Sequence, residues 1–103
     1  MSRAVLRIDD SPSQITPEFV DYLCERNITP VIFAVGENLE KYFENAVYAL
    51  KKGAVVGNHS YSHRHFGEIS FDQCVCEITR CEKLLDELYY TAGIERRYRI
   101  FAF

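Results

Sequence analysis

Val56-Gly-Asn-His-Ser-Tyr-Ser-His63 places two imidazoles, His59 and His63, four residues apart beside a glycine and two hydroxyls, directly after an apolar run. Residues at i and i+4 lie on the same side of one helical turn. Neutral imidazole is a good ligand for zinc and its first-row neighbours, so the pair can close on one ion. A third ligand is needed. Its best supplier is Asp9-Asp10, which follows Ala4-Val-Leu-Arg-Ile8 and is therefore expected at the C-terminal end of a strand. In parallel α/β folds that end of the sheet is where chemistry collects.

Outward from these two stretches the chain alternates strand and helix signals. Ser11-Pro-Ser-Gln-Ile15 reads as a turn, and Thr16-Pro17 opens a helix with a capping hydroxyl and a proline at the first helical position. Phe19, Val20, Leu23 and Cys24 mark its buried face. It should end near Asn27, because Thr29 precedes Pro30 and is pushed out of the helical region. Val31-Ile-Phe-Ala-Val35 is a run of β-formers fit for a buried parallel strand. After Gly36, Leu39, Phe43, Ala46, Val47 and Leu50 give one helix its apolar stripe, and Lys51-Lys-Gly53 closes it. Ala54-Val-Val56 is a short strand delivering the histidines. Ser70-Phe-Asp-Gln73 has the form of a capping box for a helix to about Tyr90, stopped by Gly93. Tyr98 to Phe103 reads as a fourth strand. The order is βαβαβαβ, and both halves of the candidate site follow strands expected to be parallel, so both emerge at one face of the sheet.

Composition narrows the alternatives. A length of 103 residues suits one small domain or part of a larger one, and a net charge of −3 argues against nucleic-acid binding, which needs a basic face. No apolar run of about eighteen residues spans a membrane. Met1-Ser-Arg-Ala leads straight into the first strand without a signal peptide, so the chain as written reads as cytoplasmic, with the cell envelope or exterior as the alternative for a trimmed precursor. Cys74, Ile78, Cys81, Leu85 and Leu88 follow helical spacing, which assigns Cys74 and Cys81 to packing rather than to metal or disulfide chemistry. The separation in Cys74-x-Cys76 also lacks the two-residue gap of a zinc knuckle.

Ile8-Asp-Asp-Ser-Pro12, the helix beginning at Thr16-Pro17, Val31-Ile-Phe-Ala-Val-Gly-Glu-Asn38 and Gly57-Asn-His-Ser-Tyr-Ser-His63 together resemble the NodB-homology polysaccharide deacetylases, carbohydrate esterase family 4. The resemblance covers nearly the whole chain in order and spacing. It implies an α/β fold in which the parallel βαβαβαβ unit forms part of an irregular (β/α) barrel. It also implies hydrolysis of N-acetyl groups on amino-sugar polysaccharides or oligosaccharides with a divalent metal, zinc foremost and cobalt, nickel or manganese as alternatives. Carried across residue by residue, Asp9 would be the catalytic base, Asp10, His59 and His63 the metal ligands, and Ser60 a support of the histidine loop. Two histidines and one carboxylate leave positions open for water and a substrate carbonyl oxygen.

The chain departs from that pattern in two places. Ser11 stands where the family usually has glycine. In the family's third motif an arginine commonly precedes an aromatic and a proline, and here Ala102 takes the arginine's place. A barrel of this kind typically needs about 200 residues or more, so residues 1–103 read as the N-terminal part of one such domain, with an uncovered sheet edge inviting self-association. Three readings stand side by side: a metal-dependent deacetylase, a catalytically silent carbohydrate-binding module on the same fold, and a small α/β interaction domain without metal. The metal reading requires the Asp10 carboxylate and one nitrogen of each histidine to lie within several ångströms of a common point, approaching about 2.0–2.2 Å with zinc bound. Side chains on opposite faces of the sheet would overturn it.

Overall fold

The computed structural model describes residues 4–102. A parallel three-stranded sheet is built from β1 (Ala4–Ser11), β2 (Ile28–Ala34) and β3 (Val55–Asn58), in the spatial order β1-β2-β3. Helices α1 (Thr16–Cys24), α2 (Gly36–Lys41), α3 (Phe43–Lys51) and α4 (Phe71–Ala92) connect or follow the strands. Register pairs Ile8 with Ile32 and Ile32 with Val56, which brings the C-terminal ends of all three strands to one edge.

The core lies between the sheet and α3 with α4. Ile32, Ala34 and Val56 from the strands meet Leu50, Cys81, Leu85 and Leu88 from the helices, all essentially sealed from water. Tyr89 ties helix to sheet: its hydroxyl accepts the Val56 N–H at 2.9 Å and donates to the Val56 carbonyl at 3.2 Å. Ser70 and Gln73 form the expected capping box, and Gly93 ends α4 in the left-handed conformation. All four cysteines are free. Burial pushes the Cys81 thiol up to about 12, so it packs as a protonated small hydrophobe; Cys74 is only half-buried.

Several expectations are corrected. The single helix expected after Gly36 is two, broken at Tyr42 (φ −124°, ψ 41°). Neither glycine nor proline sits at the break, so tertiary docking imposes it: the N-terminus of α2 is drawn onto the histidine loop while α3 packs on α1 and α4. Thr16 is not the cap of α1 but its first residue, and its Oγ1 accepts the Ser13 N–H instead. Phe19 is 41% exposed rather than buried.

The fourth strand reduces to one parallel bridge, Asn58 with Phe101; Phe103 lies outside the described residues. The reason is a competing attraction, since Arg96 and Arg99 pair with Glu82 and Asp86 of α4 and draw the preceding residues off the sheet line. On the opposite flank β1 pairs only with β2 among the described residues, and Val5, Leu6, Ile15, Phe19 and Tyr22 are exposed there.

Leu85 is fully buried between α4 and the sheet. Leu85→Ala is expected to lower stability by about 2–5 kcal/mol in urea denaturation, the transfer and cavity cost of a sealed leucine. A loss below about 1 kcal/mol would mean that α4 is not the lid of this core.

Candidate metal centre

Consecutive residues of an unbroken strand point to opposite faces, so Asp9 and Asp10 could not both face one site. A bulge between Asp9 and Ser11 interrupts the pairing with β2, and Asp10 within it adopts φ 62°. Bulges re-aim side chains, and aspartate tolerates the left-handed region better than most residues. Asn38 of α2 clamps the bulge by donating its Nδ2 to the Asp10 carbonyl at 3.0 Å.

The histidines sit on a loop, not on the helical turn that their spacing suggested. Ser60 and His63 both take positive φ, 67° and 60°, and this reversal brings the rings together with centroids 4.6 Å apart. The loop is held from every side. Ser60 N–H donates to Asn58 Oδ1 at 2.8 Å, and His63 N–H donates to Ser60 Oγ at 3.0 Å. Ser62 donates its N–H and its hydroxyl to Glu77 of α4 at 2.9 and 2.7 Å. From α2, Gly36 N–H and Glu37 N–H donate to the Ser60 and Tyr61 carbonyls, both at 2.9 Å. Tyr61 bonds Glu40 through its hydroxyl and stacks under the Arg80 guanidinium at 3.7 Å.

Asp10, His59 and His63 converge, their ligand atoms all within 4.8 Å of one another. His59 Nε2 and His63 Nε2 each stand 3.2 Å from Asp10 Oδ1. His59 is 3% exposed, and its Nδ1 lies 2.9 Å from the Ala102 carbonyl. A carbonyl can only accept, so Nδ1 carries the proton and the Nε2 lone pair faces the cluster. This set fits a divalent ion: ligand atoms of a tetrahedral zinc at about 2.0–2.1 Å stand about 3.3 Å apart, close to the carboxylate-to-imidazole spacings found here.

Asp9 stands outside the cluster. Its two oxygens accept from Arg7 Nε at 2.8 Å and Nη2 at 3.2 Å, and the Arg7 guanidinium lies 4.7 Å over the Phe33 ring. The Arg7 bond, aided by the positive charge there and by His59 and His63, outweighs partial desolvation and holds the Asp9 carboxyl below its ordinary range. A cleft of about 160 Å³ opens beside the histidines, lined by Arg64, His65, Phe66, Phe101 and Ala102. By the roughly 30 Å³ that a water occupies in the liquid, it admits a group of a few heavy atoms.

Sequence reasoning missed Arg7, Asn38, Glu77 and the Ala102 carbonyl. Arg7 was findable, since residues i and i+2 of a strand share a face. The others depend on tertiary docking, and a backbone carbonyl leaves no mark in a sequence.

A family model described as polysaccharide deacetylase matches residues 2–102. The peptidoglycan-N-acetylglucosamine deacetylase of Bacillus cereus is 32% identical over 88 residues, which are 84% of this chain and 32% of that protein. Chitin deacetylase 3 of Cryptococcus neoformans var. neoformans is 27% identical over 85 residues, 81% of this chain and 21% of that protein. A crystal structure of a peptidoglycan N-acetylglucosamine deacetylase in complex with a substituted N-hydroxybenzamide aligns with a TM-score of 0.77 at 32% identity, covering 84% of this chain and 41% of the other. The chain spans about a third of the first of these curated relatives. Its sheet and helices make up part of the irregular (β/α) barrel of such enzymes.

A Cβ on Gly36 would meet Tyr61 Cδ1 at 2.6 Å and its Cα at 3.0 Å, whereas Gly67 has open space. Gly36→Ala is therefore expected to cost about 1–3 kcal/mol and to displace the histidine loop. Calorimetric titration with zinc should register weaker binding in that variant and none of this in Gly67→Ala. Equal affinity in both would mean that the α2 junction does not set the ligand geometry.

Proposed function

The chain belongs to the polysaccharide deacetylase family, and from that premise we propose that it forms the metal-holding part of a hydrolase removing acetyl groups from amino-sugar nitrogens in a polymer. The observation that carries the reading is the convergence of Asp10, His59 and His63 at the C-terminal ends of parallel strands, beside a cleft fit for a small group. The names of the relatives, a peptidoglycan and a chitin deacetylase, support the substrate class. The chain covers only 32% of the bacterial relative, and residues 1–103 would then be the N-terminal part of a single catalytic domain.

In this proposal Asp10, His59 and His63 hold a divalent ion, with zinc the best match to two imidazoles and one carboxylate. When bound, such an ion supplies Lewis-acid polarisation of an amide carbonyl and a more acidic water. Asp9 is the base. Its carboxylate, oriented by Arg7, accepts a proton from the attacking water as the water oxygen bonds to the acetyl carbon; when the carbon–nitrogen bond then breaks, its electron pair goes to nitrogen, which takes up a proton, so that acetate and a free amine result. Ser60 shapes the loop through its hydroxyl rather than touching the reaction, and Phe66 and Phe101, 6.0 Å apart, wall the cleft on its apolar side. A polymer of the cell wall as substrate would put the protein at the envelope; no helix among the described residues is long and apolar enough to cross a membrane.

A second reading, a silent carbohydrate-binding module, is favoured by one observation: Ala102 occupies the position at which the resemblance calls for arginine, and its methyl group is buried.

Asp9→Asn separates the two. In a polypeptide extended past Phe103, zinc content should stay near that of the unaltered protein while hydrolysis of N-acetylglucosamine oligomers falls about 10²–10⁴-fold, the usual contribution of a general base. His63→Ala should lower both zinc content and hydrolysis. An unaltered protein that binds zinc and chito-oligomers without releasing acetate would establish the silent module, and loss of zinc in Asp9→Asn would overturn the division of roles between the two aspartates.

A further inference from the structure

Asn58 is fully buried and stands immediately before the histidine loop. Its Nδ2 donates to the Ile78 carbonyl at 3.0 Å and to Glu82 Oε2 at 2.9 Å, while its Oδ1 accepts the Ser60 N–H at 2.8 Å. With the side-chain amide engaged at both ends its orientation is fixed, since a flip would turn a donor against Ser60. Its backbone is the junction to the last described segment: Asn58 N–H donates to the Ile100 carbonyl, and its own carbonyl accepts from Ala102 N–H, both at 2.9 Å. Ala102 in turn offers the carbonyl that orients His59.

Behind Asn58 lies a buried charge. The Arg96 side chain is 4% exposed and bridges Glu82 Oε2 at 2.8 Å and Asp86 Oδ1 at 2.9 Å. Its Nε is sealed from water with no hydrogen-bond partner among the described residues. Taking a guanidinium out of water to this degree, with one donor unused, is an expensive way to pin a segment that an apolar side chain could pin as well. An ion pair adds direction. Glu82 Oε2 is a single atom that accepts both Arg96 Nη2 and Asn58 Nδ2, so the place of Arg96 sets the place of the acceptor for Asn58. Without Arg96, Glu82 is left to the exposed Arg99, 3.4 Å from its other oxygen, and is drawn toward solvent.

We propose that Arg96 and Glu82 are positioning residues of the metal centre: Glu82, anchored by Arg96, holds Asn58, and through Asn58 both the loop carrying His63 and the Ala102 carbonyl that orients His59. The proposal rests on Asp10, His59 and His63 being metal ligands.

The test is zinc affinity of the full chain, measured at fixed pH by competition with a chromophoric chelator, for Arg96→Leu, Glu82→Gln and Arg97→Ala. Partners that orient metal ligands are typically worth 10–100-fold in affinity, so Kd should rise about that much in the first two. Arg97 is exposed and among the described residues pairs with the nearby Glu95, so its variant, with the same loss of charge as Arg96→Leu, should stay within about twofold. In the metal-free chain, exchange of the His59 Nδ1 proton with solvent, followed by NMR, should speed up in the first two variants alone. Should Arg96→Leu fail to fold, Glu82→Gln carries the same expectations. Folded variants with unaltered Kd and exchange would overturn this inference alone. An unaltered chain with no zinc affinity would overturn the metal reading and this one with it.

Discussion

Asp10 Oδ1 and the Nε2 atoms of His59 and His63 face a common point, with 3.2 Å from the oxygen to either nitrogen. At His59, whose Nδ1 proton is engaged by the Ala102 carbonyl, the Nε2 lone pair is directed at the carboxylate oxygen, an arrangement that side chains free to choose would avoid. The surrounding structure has to impose it. Among the described residues, non-glycine positions with positive φ are Asp10, Asn27, Ser60 and His63, so three of them build this one site. Each such residue costs on the order of 1 kcal/mol or more, and the cost persists only where neighbours over-determine the conformation. Those neighbours are the α2 amides on the Ser60 and Tyr61 carbonyls, Glu77 on Ser62, Asn38 on the bulge and Ala102 on His59.

This division explains what could be read in advance. The parallel strands, the capping box and the glycine stop of α4 follow from local propensity and from apolar periods that the tertiary structure has no reason to override. The three side chains that converge, Asp10, His59 and His63, could be picked out because their types are chemically distinctive and their strands had to end at the same edge. The means of convergence was not legible: a spacing of four suggested a helical turn, whereas the loop reverses at Ser60 and His63 under local bonds from Asn58 and Ser60 and under tertiary contacts from α2 and from Glu77 of α4. The missing fourth strand has the same origin. Tyr98 to Phe101 has strand-like composition, but Arg96 and Arg99 find carboxylates on α4, and pairing with β3 survives only around Asn58.

Among the described residues the sheet is covered on one side and uncovered on the other. Beyond β3, the segment around Phe101 and α4 cover the edge and the core; beside β1, Val5 is 66% exposed and Leu6 40%, values foreign to the interior of a parallel sheet. Ile8 and Phe19 with Ile15 line a shallow apolar groove on the same flank. Among the described residues the candidate centre therefore lies between a covered edge and an uncovered one, with Asp9 and Asp10 supplied by β1, which pairs there with β2 alone.

That placement bears on how two adjacent carboxylates come to differ. Left in one strand they would alternate faces; brought to one site without separation they would repel and share protons. The bulge turns Asp10 to the histidines, and Arg7 takes Asp9 by a two-point hydrogen bond. Both partners are substantially exposed, 55% and 40%, so the pair adds little to folding stability. Its effect is on direction. Arg7, steadied over the Phe33 ring, holds both Asp9 oxygens and keeps the carboxyl below its ordinary range. In the proposed reaction this makes Asp9 a weaker base than a free carboxylate, which is itself already ionised at neutral pH, so what Arg7 contributes is orientation, and a weak base suffices where the water it deprotonates would be made more acidic by the ion.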